Sequence, residues 1–173
     1  MNRHIPFSMS LLAALAGLCI WPNVPAADLA PSELADLEAM TSRGHVADIA
    51  QFGRDNAIAV NQGGVRNGFA GTQDGSGNRA NIIQEGFQNY SRLTQTGGTN
   101  AYSLMQSGIG NQASVSQAGQ ANQAGIVQTG AANRAYVDQL GAGNAARIEQ
   151  YGRQGTGRLT QYGSGQTAAI IQH

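Results

Sequence analysis

The stretch QAGQANQAGIVQTGAANRAYVDQ, residues 117–139, contains two consecutive copies of one eleven-residue unit. Each copy opens with glutamine, followed by glycine two residues later and asparagine five residues later. Outward from this stretch in both directions, glutamine recurs every eleven residues without an insertion or deletion. A fixed period of this kind is the signature of a repeat architecture. The glutamines are Gln51, Gln62, Gln73, Gln84, Gln95, Gln106, Gln117, Gln128, Gln139, Gln150, Gln161 and Gln172.

Glycine and asparagine follow the same period. In the last two units Gly155 and Gln166 replace the asparagine. The repeat glycines are Gly53, Gly64, Gly75, Gly86, Gly97, Gly108, Gly119, Gly130, Gly141, Gly152 and Gly163. The repeat asparagines are Asn56, Asn67, Asn78, Asn89, Asn100, Asn111, Asn122, Asn133 and Asn144. We expect glycine and asparagine to form the turn of each unit, because positive φ costs both residues little.

An aliphatic residue stands two residues before nearly every glutamine, and a small residue usually stands four before it. The exception is Gly71, and we expect the neighbouring Phe69 to fill the space there. Alternate positions of a strand point to the same face, so the small residue, the aliphatic residue and the glutamine share one face. The aliphatic column comprises Ile49, Val60, Ile82, Leu93, Leu104, Val115, Ile126, Val137, Ile148, Leu159 and Ile170.

An eleven-residue period also fits a right-handed supercoil of α-helices, because eleven residues make three helical turns. A helix, however, would contain a glycine in every three turns, at a cost of about 1 kcal/mol relative to alanine. Only one large apolar residue per unit would offset that cost. The pattern therefore favours strands.

The sequence predicts an all-β fold, a two-sheet β-solenoid built from eleven-residue half repeats. Each half repeat is a strand of about five to six residues closed by a tight turn, and two half repeats make one coil. Odd-numbered units form one sheet and even-numbered units the other, with parallel strands in register. Six coils spaced by about 4.8 Å give a stack of about 29 Å.

An inward glutamine needs hydrogen-bond partners, because an unpaired buried amide costs about 1–3 kcal/mol. In a stack, each glutamine can donate to the glutamine of one neighbouring coil and accept from the other. The asparagines can do the same. We therefore predict that the glutamines and asparagines form structural amide ladders.

Residues 1–26 are predicted to be a secretory signal peptide, since residues 5–21 form an apolar run after a short basic start. Cleavage after Ala26 places Val24 and Ala26 at the small-residue positions, and cleavage after Ala27 is the alternative. The single cysteine, Cys19, follows Leu18, which disfavours a lipoprotein signal. The mature chain then contains no cysteine and no disulfide.

Residues 27–46 are predicted to be a mostly disordered leader that a secretion machine grips, or an ordinary flexible N-terminus. Residues 47–173 are predicted to form the solenoid. The last unit ends without a polar cap, and we expect an adhesive edge there.

Composition and charge argue against several functions. Ten arginines, no lysine and a formal net charge of zero offer nucleic acid no basic stripe and a membrane no polybasic patch. No catalytic, metal-binding, cofactor-binding or small-molecule site is predicted, because His45 and His173 lie far from any recurring nucleophile. A calcium-binding repeat would need aspartate in every turn. An ice-binding solenoid, which would need a regular row of threonines, and a β-helix enzyme stay as minor alternatives.

The repeat resembles that of the curlin family, Ser-x5-Gln-x-Gly-x-x-Asn-x-Ala-x3-Gln. The resemblance is carried by Gln84-x-Gly86-x-x-Asn89, by Gln117-x-Gly119-x-x-Asn122-x-Ala124-x3-Gln128 and by the unit from Gln128 to Gln139. It implies a secreted, non-enzymatic subunit of an extracellular amyloid fibre in biofilms. The chain would pass through the periplasm and an outer-membrane secretion pore with its accessory factors, and would assemble with itself and with a major subunit.

Within the family, the stretches around Gln150-Tyr151-Gly152 and Gln161-Tyr162-Gly163 look more like the minor subunit, which nucleates the fibre at the cell surface. The scattered arginines favour the same interpretation. The alternatives are the major fibre subunit and a non-amyloid β-solenoid adhesin or matrix protein.

Overall fold

The computed structural model describes residues 44–173, which form a two-sheet solenoid of twelve strands. The predicted signal peptide, both candidate cleavage positions and the leader up to residue 43 lie outside the described residues. The strands are β1 Val46–Arg54, β2 Ala57–Val65, β3 Gly68–Ser76, β4 Arg79–Phe87, β5 Tyr90–Gly98, β6 Ala101–Ile109, β7 Gln112–Gln120, β8 Gln123–Ala131, β9 Arg134–Ala142, β10 Ala145–Arg153, β11 Thr156–Ser164 and β12 Thr167–Gln172.

The odd and even strands form separate parallel sheets. One sheet has the order β1-β3-β5-β7-β9-β11, and the other has the order β12-β10-β8-β6-β4-β2. Every pairing joins residues 22 apart, as in Gln95↔Gln117 and Gln106↔Gln128. The predicted fold class, two parallel in-register sheets stacked as a solenoid, is therefore confirmed.

The strands are longer than predicted. Eleven of them have nine residues, and only β12 has six. The extra length arises because each repeat glycine continues the ladder beyond the glutamine, as Gly97↔Gly119 shows. Only two residues, such as Thr99 and Asn100, lie between consecutive strands.

The core is a thin layer between the two sheets. Its centre is the aliphatic column, in which Leu93 and Val115 of the odd sheet and Leu104 and Ile126 of the even sheet are at most 2% exposed. Burying each such side chain contributes about 1.5–3 kcal/mol. Alanine at most of the small-residue positions lets the sheets approach each other at that level of the stack.

Two local exchanges keep this core filled. A Cβ atom at Gly71 would lie 2.6 Å from Cζ of Phe69, so the buried Phe69 ring occupies the place of the missing aliphatic residue. Tyr102 occupies a small-residue position and is 3% exposed, and its hydroxyl lies 3.3 Å from the Ser91 hydroxyl of the opposite sheet. Burial raises the pKa of Tyr102 well above its usual range, and the Ser91 hydrogen bond partly opposes that shift.

The asparagines lie in the turns between strands, but the expectation that they take positive φ was wrong. Positive φ falls on the residue before each asparagine, for example Thr99 at 53° and Ala121 at 56°. Asparagine does not take positive φ because its side chain points inward and holds hydrogen bonds there. The strained backbone is thereby moved to an outward residue that has no such role.

The repeat glycines also have positive φ, from 97° to 132°. A Cβ atom at Gly119 would lie 1.9 Å from the carbonyl oxygen of Gly141 in the next coil. Glycine is therefore required here for two reasons, the backbone conformation and the close approach of adjacent coils.

The outward faces of the two sheets differ in chemistry. In the column just before the glutamines, the even sheet begins with Asn61 and then presents Ile83, Met105, Val127 and Ile171, interrupted by Glu149. The same column of the odd sheet presents Thr72, Thr94, Ser116, Asp138 and Thr160. One broad face is therefore largely apolar along this column and the other is polar.

Candidate functional site: amide ladders and stack ends

The inward glutamines form one hydrogen-bonded ladder in each sheet. Every Nε2 donates to the Oε1 of the glutamine 22 residues later, at 2.7–2.8 Å. The glutamines from Gln73 to Gln150 are at most 1% exposed, whereas Gln51, Gln62 and Gln172 at the ends are half-buried. All of the amides in these bonds point the same way along the stack.

The second hydrogen of most glutamine amides binds the main chain of the opposite sheet. Gln106 Nε2, for instance, donates to the carbonyl oxygen of Tyr90 at 3.2 Å, and Gln128 Nε2 donates to that of Gln112 at 2.9 Å. These contacts tie the two sheets together at one edge of each coil. The sequence pattern does not reveal them, because the acceptors are main-chain atoms of variable residues.

The asparagine side chains form hydrogen bonds with main-chain groups of the turns. Asn111 Nδ2 donates to the main-chain oxygens of Ser107 in its own turn and of Gly130 in the next coil, both at 3.1–3.2 Å. Its Oδ1 accepts the main-chain N–H of Asn133 at 3.1 Å. Direct side-chain bonds between asparagines also occur, as from Asn111 to Asn89. No buried side-chain nitrogen or oxygen in residues 44–173 lacks a partner.

His45 occupies the asparagine position of the first odd unit. Its Nδ1 accepts the main-chain N–H of Asn67 at 3.2 Å, as Asn Oδ1 does elsewhere. The signal in the sequence is its spacing of eleven residues before Asn56. Because the residue is a histidine, His45 was not assigned to the asparagine ladder from the sequence.

The stack has two different ends. We call the end formed by β1 and β2 the N-end, and the end formed by β11 and β12 the C-end. Within residues 44–173, each of these four strands pairs on one side only. At the C-end, Gln172 Nε2 donates to the Thr156 carbonyl at 3.2 Å, and Gln161 Nε2 donates to those of Ala145 and Gln166 at 3.1 and 3.0 Å.

Charged side chains lie on the outer faces. On β10, Arg147 forms an ion pair with Glu149, whose other oxygen accepts from the Tyr151 hydroxyl at 3.1 Å and so raises the pKa of Tyr151. The Tyr151 ring stacks on His173 with centroids 5.5 Å apart. On the odd sheet, the Arg158 guanidinium lies 5.1 Å from the centroid of the Tyr136 ring.

Residues 44–173 hold no group of three or more His, Asp or Glu side chains placed to bind a metal ion. Among the same residues, no helix has the length and apolar character needed to cross a membrane.

The family comparison agrees with this geometry. The curlin-associated repeat matches residues 119–152, which include the end of β7, all of β8 and β9, and most of β10. The same glutamine, glycine and aliphatic positions extend through the other coils in unbroken 22-residue register. The match identifies curlin-associated repeats in this chain. No curated protein matches it.

Curlin proteins are structural fibre subunits and not enzymes, and they are extracellular components that self-assemble. The solenoid described here, with its curlin-associated repeats, fits such a subunit. Each coil presents the same strand edges and amide positions, so each neighbouring coil can form the same hydrogen bonds with it.

Proposed function

We propose that this curlin chain is the minor subunit of an extracellular amyloid fibre and nucleates polymerisation of a major curlin subunit at the cell surface. The observation that carries the proposal is the unbroken amide ladder, which meets an unpaired strand edge at each end of residues 44–173. Such an edge offers an incoming chain main-chain partners and a row of amides already in position. Ordering of the first coil is the step that a free chain finds difficult, and a folded edge supplies it.

The remaining steps belong to the same proposal. The chain is secreted through the periplasm after removal of residues 1–26, and residues 27–46 are held by the outer-membrane secretion pore and its accessory factors. At the outer surface the folded coils serve as the template. No cofactor, nucleic acid or small-molecule substrate takes part.

The test follows thioflavin fluorescence of the mature chain after dilution from denaturant. The chain is assayed alone and at a few per cent of a major curlin subunit. A shortened lag of the major subunit supports nucleation. A Gln172→Leu variant, which removes the last amide of the even ladder, is expected to shorten the lag less. The outward Gln112→Leu change on β7 serves as the matched control and is expected to act like the unchanged chain.

Two other outcomes lead to different functions. If the chain polymerises well alone but leaves the lag of the major subunit unchanged, it is a major-type fibre subunit. If neither assay yields fibres that bind thioflavin, it is a non-amyloid solenoid adhesin or matrix protein.

A further inference from the structure

The amide ladders give the stack a polarity that an incoming copy of this chain has to match. At the N-end, Gln51 and Gln62 direct Oε1 outward, and no donor within residues 44–173 reaches either oxygen. At the C-end, Gln172 Nε2 has one hydrogen bond, to Thr156, and therefore one hydrogen that remains available. Gln161 Nε2 donates both hydrogens to carbonyl oxygens, so the free donor belongs to the even ladder. Two N-ends would place acceptors against acceptors, and the even ladder therefore favours the N-end of one copy on the C-end of another.

Polarity alone leaves two rotational settings. In the first, β1 of the second copy lies on β11 and β2 lies on β12, which continues each sheet. In the second, the incoming copy is turned by half a revolution about the stack axis, so that β1 lies on β12 and β2 lies on β11. Both settings keep the strands parallel and the glutamines in register, because all units share the same period.

An outward column of the odd sheet distinguishes the two settings. This column begins at the N-end with Asp48, paired with Ala70, and ends at the C-end with Arg158, paired with Tyr136. Both charged side chains are exposed, and Asp48 makes no ion pair within residues 44–173. Arg158 lies over the Tyr136 ring on the inner side of its coil, and its other side is the C-end.

In the first setting, the second copy's Asp48 lies one strand spacing, about 4.8 Å, from Arg158. Opposite charges directly across neighbouring strands stabilise a sheet. In the second setting, Asp48 lies beside Ala169 and Arg158 lies beside the second copy's Ala59, so that both charges are unpaired. The charges therefore favour the first setting.

The sizes of the residues at the asparagine position favour the same setting. At the C-end of the odd sheet this position is Gly155, and at the N-end it is His45. The first setting places the largest residue of the column over the smallest. The second setting places His45 over Gln166, whose side chain folds back to the Tyr162 carbonyl at 2.7 Å.

We propose that Asp48 and Arg158 are the residues that set the register between successive copies of this chain, with β1 docked on β11 and β2 docked on β12. The proposal rests on the proposed function, because it describes the joint between subunits of a fibre. It goes beyond that function by naming which end, which sheet and which side chains recognise each other.

Cysteine cross-linking in assembled fibres tests the register. The mature chain, from residue 27 onward, has no cysteine of its own and serves as the background. Ala50→Cys and Thr160→Cys on one chain lie about 24 Å apart within a copy, five strand spacings, but face each other across the proposed joint. Ala50→Cys with Ile171→Cys reports the rotated setting. A short thiol-specific reagent is expected to produce covalent oligomers from the first pair only.

Oligomers from the second pair, or from neither pair in fibres that have formed, overturn the proposal and leave the proposed function intact. If the mature chain alone forms no fibres, no joint between its copies exists and the proposal is overturned, whereas the proposed function is overturned only if the chain also fails to shorten the lag of the major subunit.

A charge-exchange cycle provides a measurement that does not depend on cysteine. Asp48→Arg and Arg158→Asp, taken singly, are each expected to raise the soluble concentration left after assembly by about 2- to 5-fold, the range of an exposed ion pair. The double variant is expected to return to within 2-fold of the unchanged chain. Added salt is expected to shrink the single-variant effects.

Arg92→Asp is the matched control, because Arg92 lies in the same outward column but two coils away from the N-end. It is expected to leave the residual concentration within 2-fold of the unchanged value. Additive effects of the two charge reversals, without recovery in the double variant, would show that Asp48 and Arg158 do not meet and would overturn the proposal.

Discussion

At the scale of single residues, the buried glutamines combine two demands that ordinarily conflict. They fill core volume, and they carry an amide that costs free energy when it lacks partners. Gln106 meets both demands, because it is fully buried, donates to Gln128 and Tyr90, and accepts from Gln84. Each amide is satisfied only by its neighbours, so the column is stable as a set.

Replacing Gln106 by leucine keeps the volume and removes the amide. The change leaves Gln84 Nε2 without one acceptor and Gln128 Oε1 without its donor, at about 1–3 kcal/mol for each buried group. We expect the midpoint of urea denaturation to fall accordingly. The exposed Gln112→Leu substitution serves as the control and is expected to change the midpoint little. Equal effects of the two changes would rule out the ladder as a source of stability.

Tyr102 is expected to make the free energy of unfolding depend on pH in the alkaline range. Because burial raises the pKa of this phenol in the folded chain, its contribution to stability is complete below about pH 10, the ordinary value for tyrosine. The free energy of unfolding should then fall as pH rises above 10, since the unfolded chain loses the proton first.

Denaturation midpoints between pH 8 and 12 measure this effect. Tyr102→Phe is expected to flatten the alkaline part of the curve, whereas Tyr162→Phe, at a 60% exposed position, is expected to leave it steep. An unchanged slope in Tyr102→Phe would contradict the assignment of the effect to this residue.

At the scale of the structural element, each half repeat is a nine-residue strand followed by a two-residue turn. The two positive-φ positions of this unit are not equivalent. The glycine at the eighth strand residue faces the carbonyl of the next coil, whereas a Cβ atom at Gly110, just before Asn111, would meet nothing within 4 Å. That second position accepts Asp55, Arg66, Gln88, Thr99 or Ala121.

This difference predicts contrasting effects of two glycine substitutions. Gly119→Ala would place Cβ 1.9 Å from the Gly141 carbonyl at φ 120°, so the coils have to separate there. Gly110→Asn places a side chain where nothing lies within 4 Å, at φ 65°, which asparagine tolerates.

We expect Gly119→Ala to prevent a cooperative unfolding transition or to lower the free energy of unfolding by several kcal/mol, beyond the usual range for a surface change. Gly110→Asn is expected to stay within about 0.5 kcal/mol. The midpoints of chemical denaturation compare the two. If the substitutions act equally, the close approach of the coils does not limit the fold.

Some features of the half repeat could be predicted from the sequence alone and others could not. The inward columns were predictable, because each inward position keeps the same kind of side chain every eleven residues. The strand length and the site of positive φ were not, because both depend on the glycine pairing with its copy in the next coil. Tyr102 escaped prediction for a related reason, since its space comes from Ser91 on the opposite sheet.

At the scale of the whole molecule, six coils contact one another only through nearest neighbours along each sheet. Stability in such a stack is approximately a sum over coils and the interfaces between them. The outer coils have one neighbour each within residues 44–173, and three of their four glutamines, Gln51, Gln62 and Gln172, are half-buried. The inner coils have two neighbours and fully buried amides.

Hydrogen exchange of the unassembled chain is therefore expected to be slowest in β5 to β8 and fastest in β1, β2, β11 and β12. In assembled fibres the outer strands should become as protected as the inner ones, because each then has a strand on both sides. Mass spectrometry of exchanged peptides compares the two states. Outer strands that stay fast in fibres would show that assembly uses some surface other than the stack ends.

The contrast between the outward columns of the two sheets has a consequence for any long stack of these coils. Ile83, Met105, Val127 and Ile171 recur on one broad side, while threonine, serine and aspartate recur on the other. Repetition along the axis turns this local difference into a row of apolar side chains, interrupted by Asn61 and Glu149, on one side of the stack. At a boundary between water and air or oil, we expect such a filament to lie flat with its isoleucine side turned away from the water.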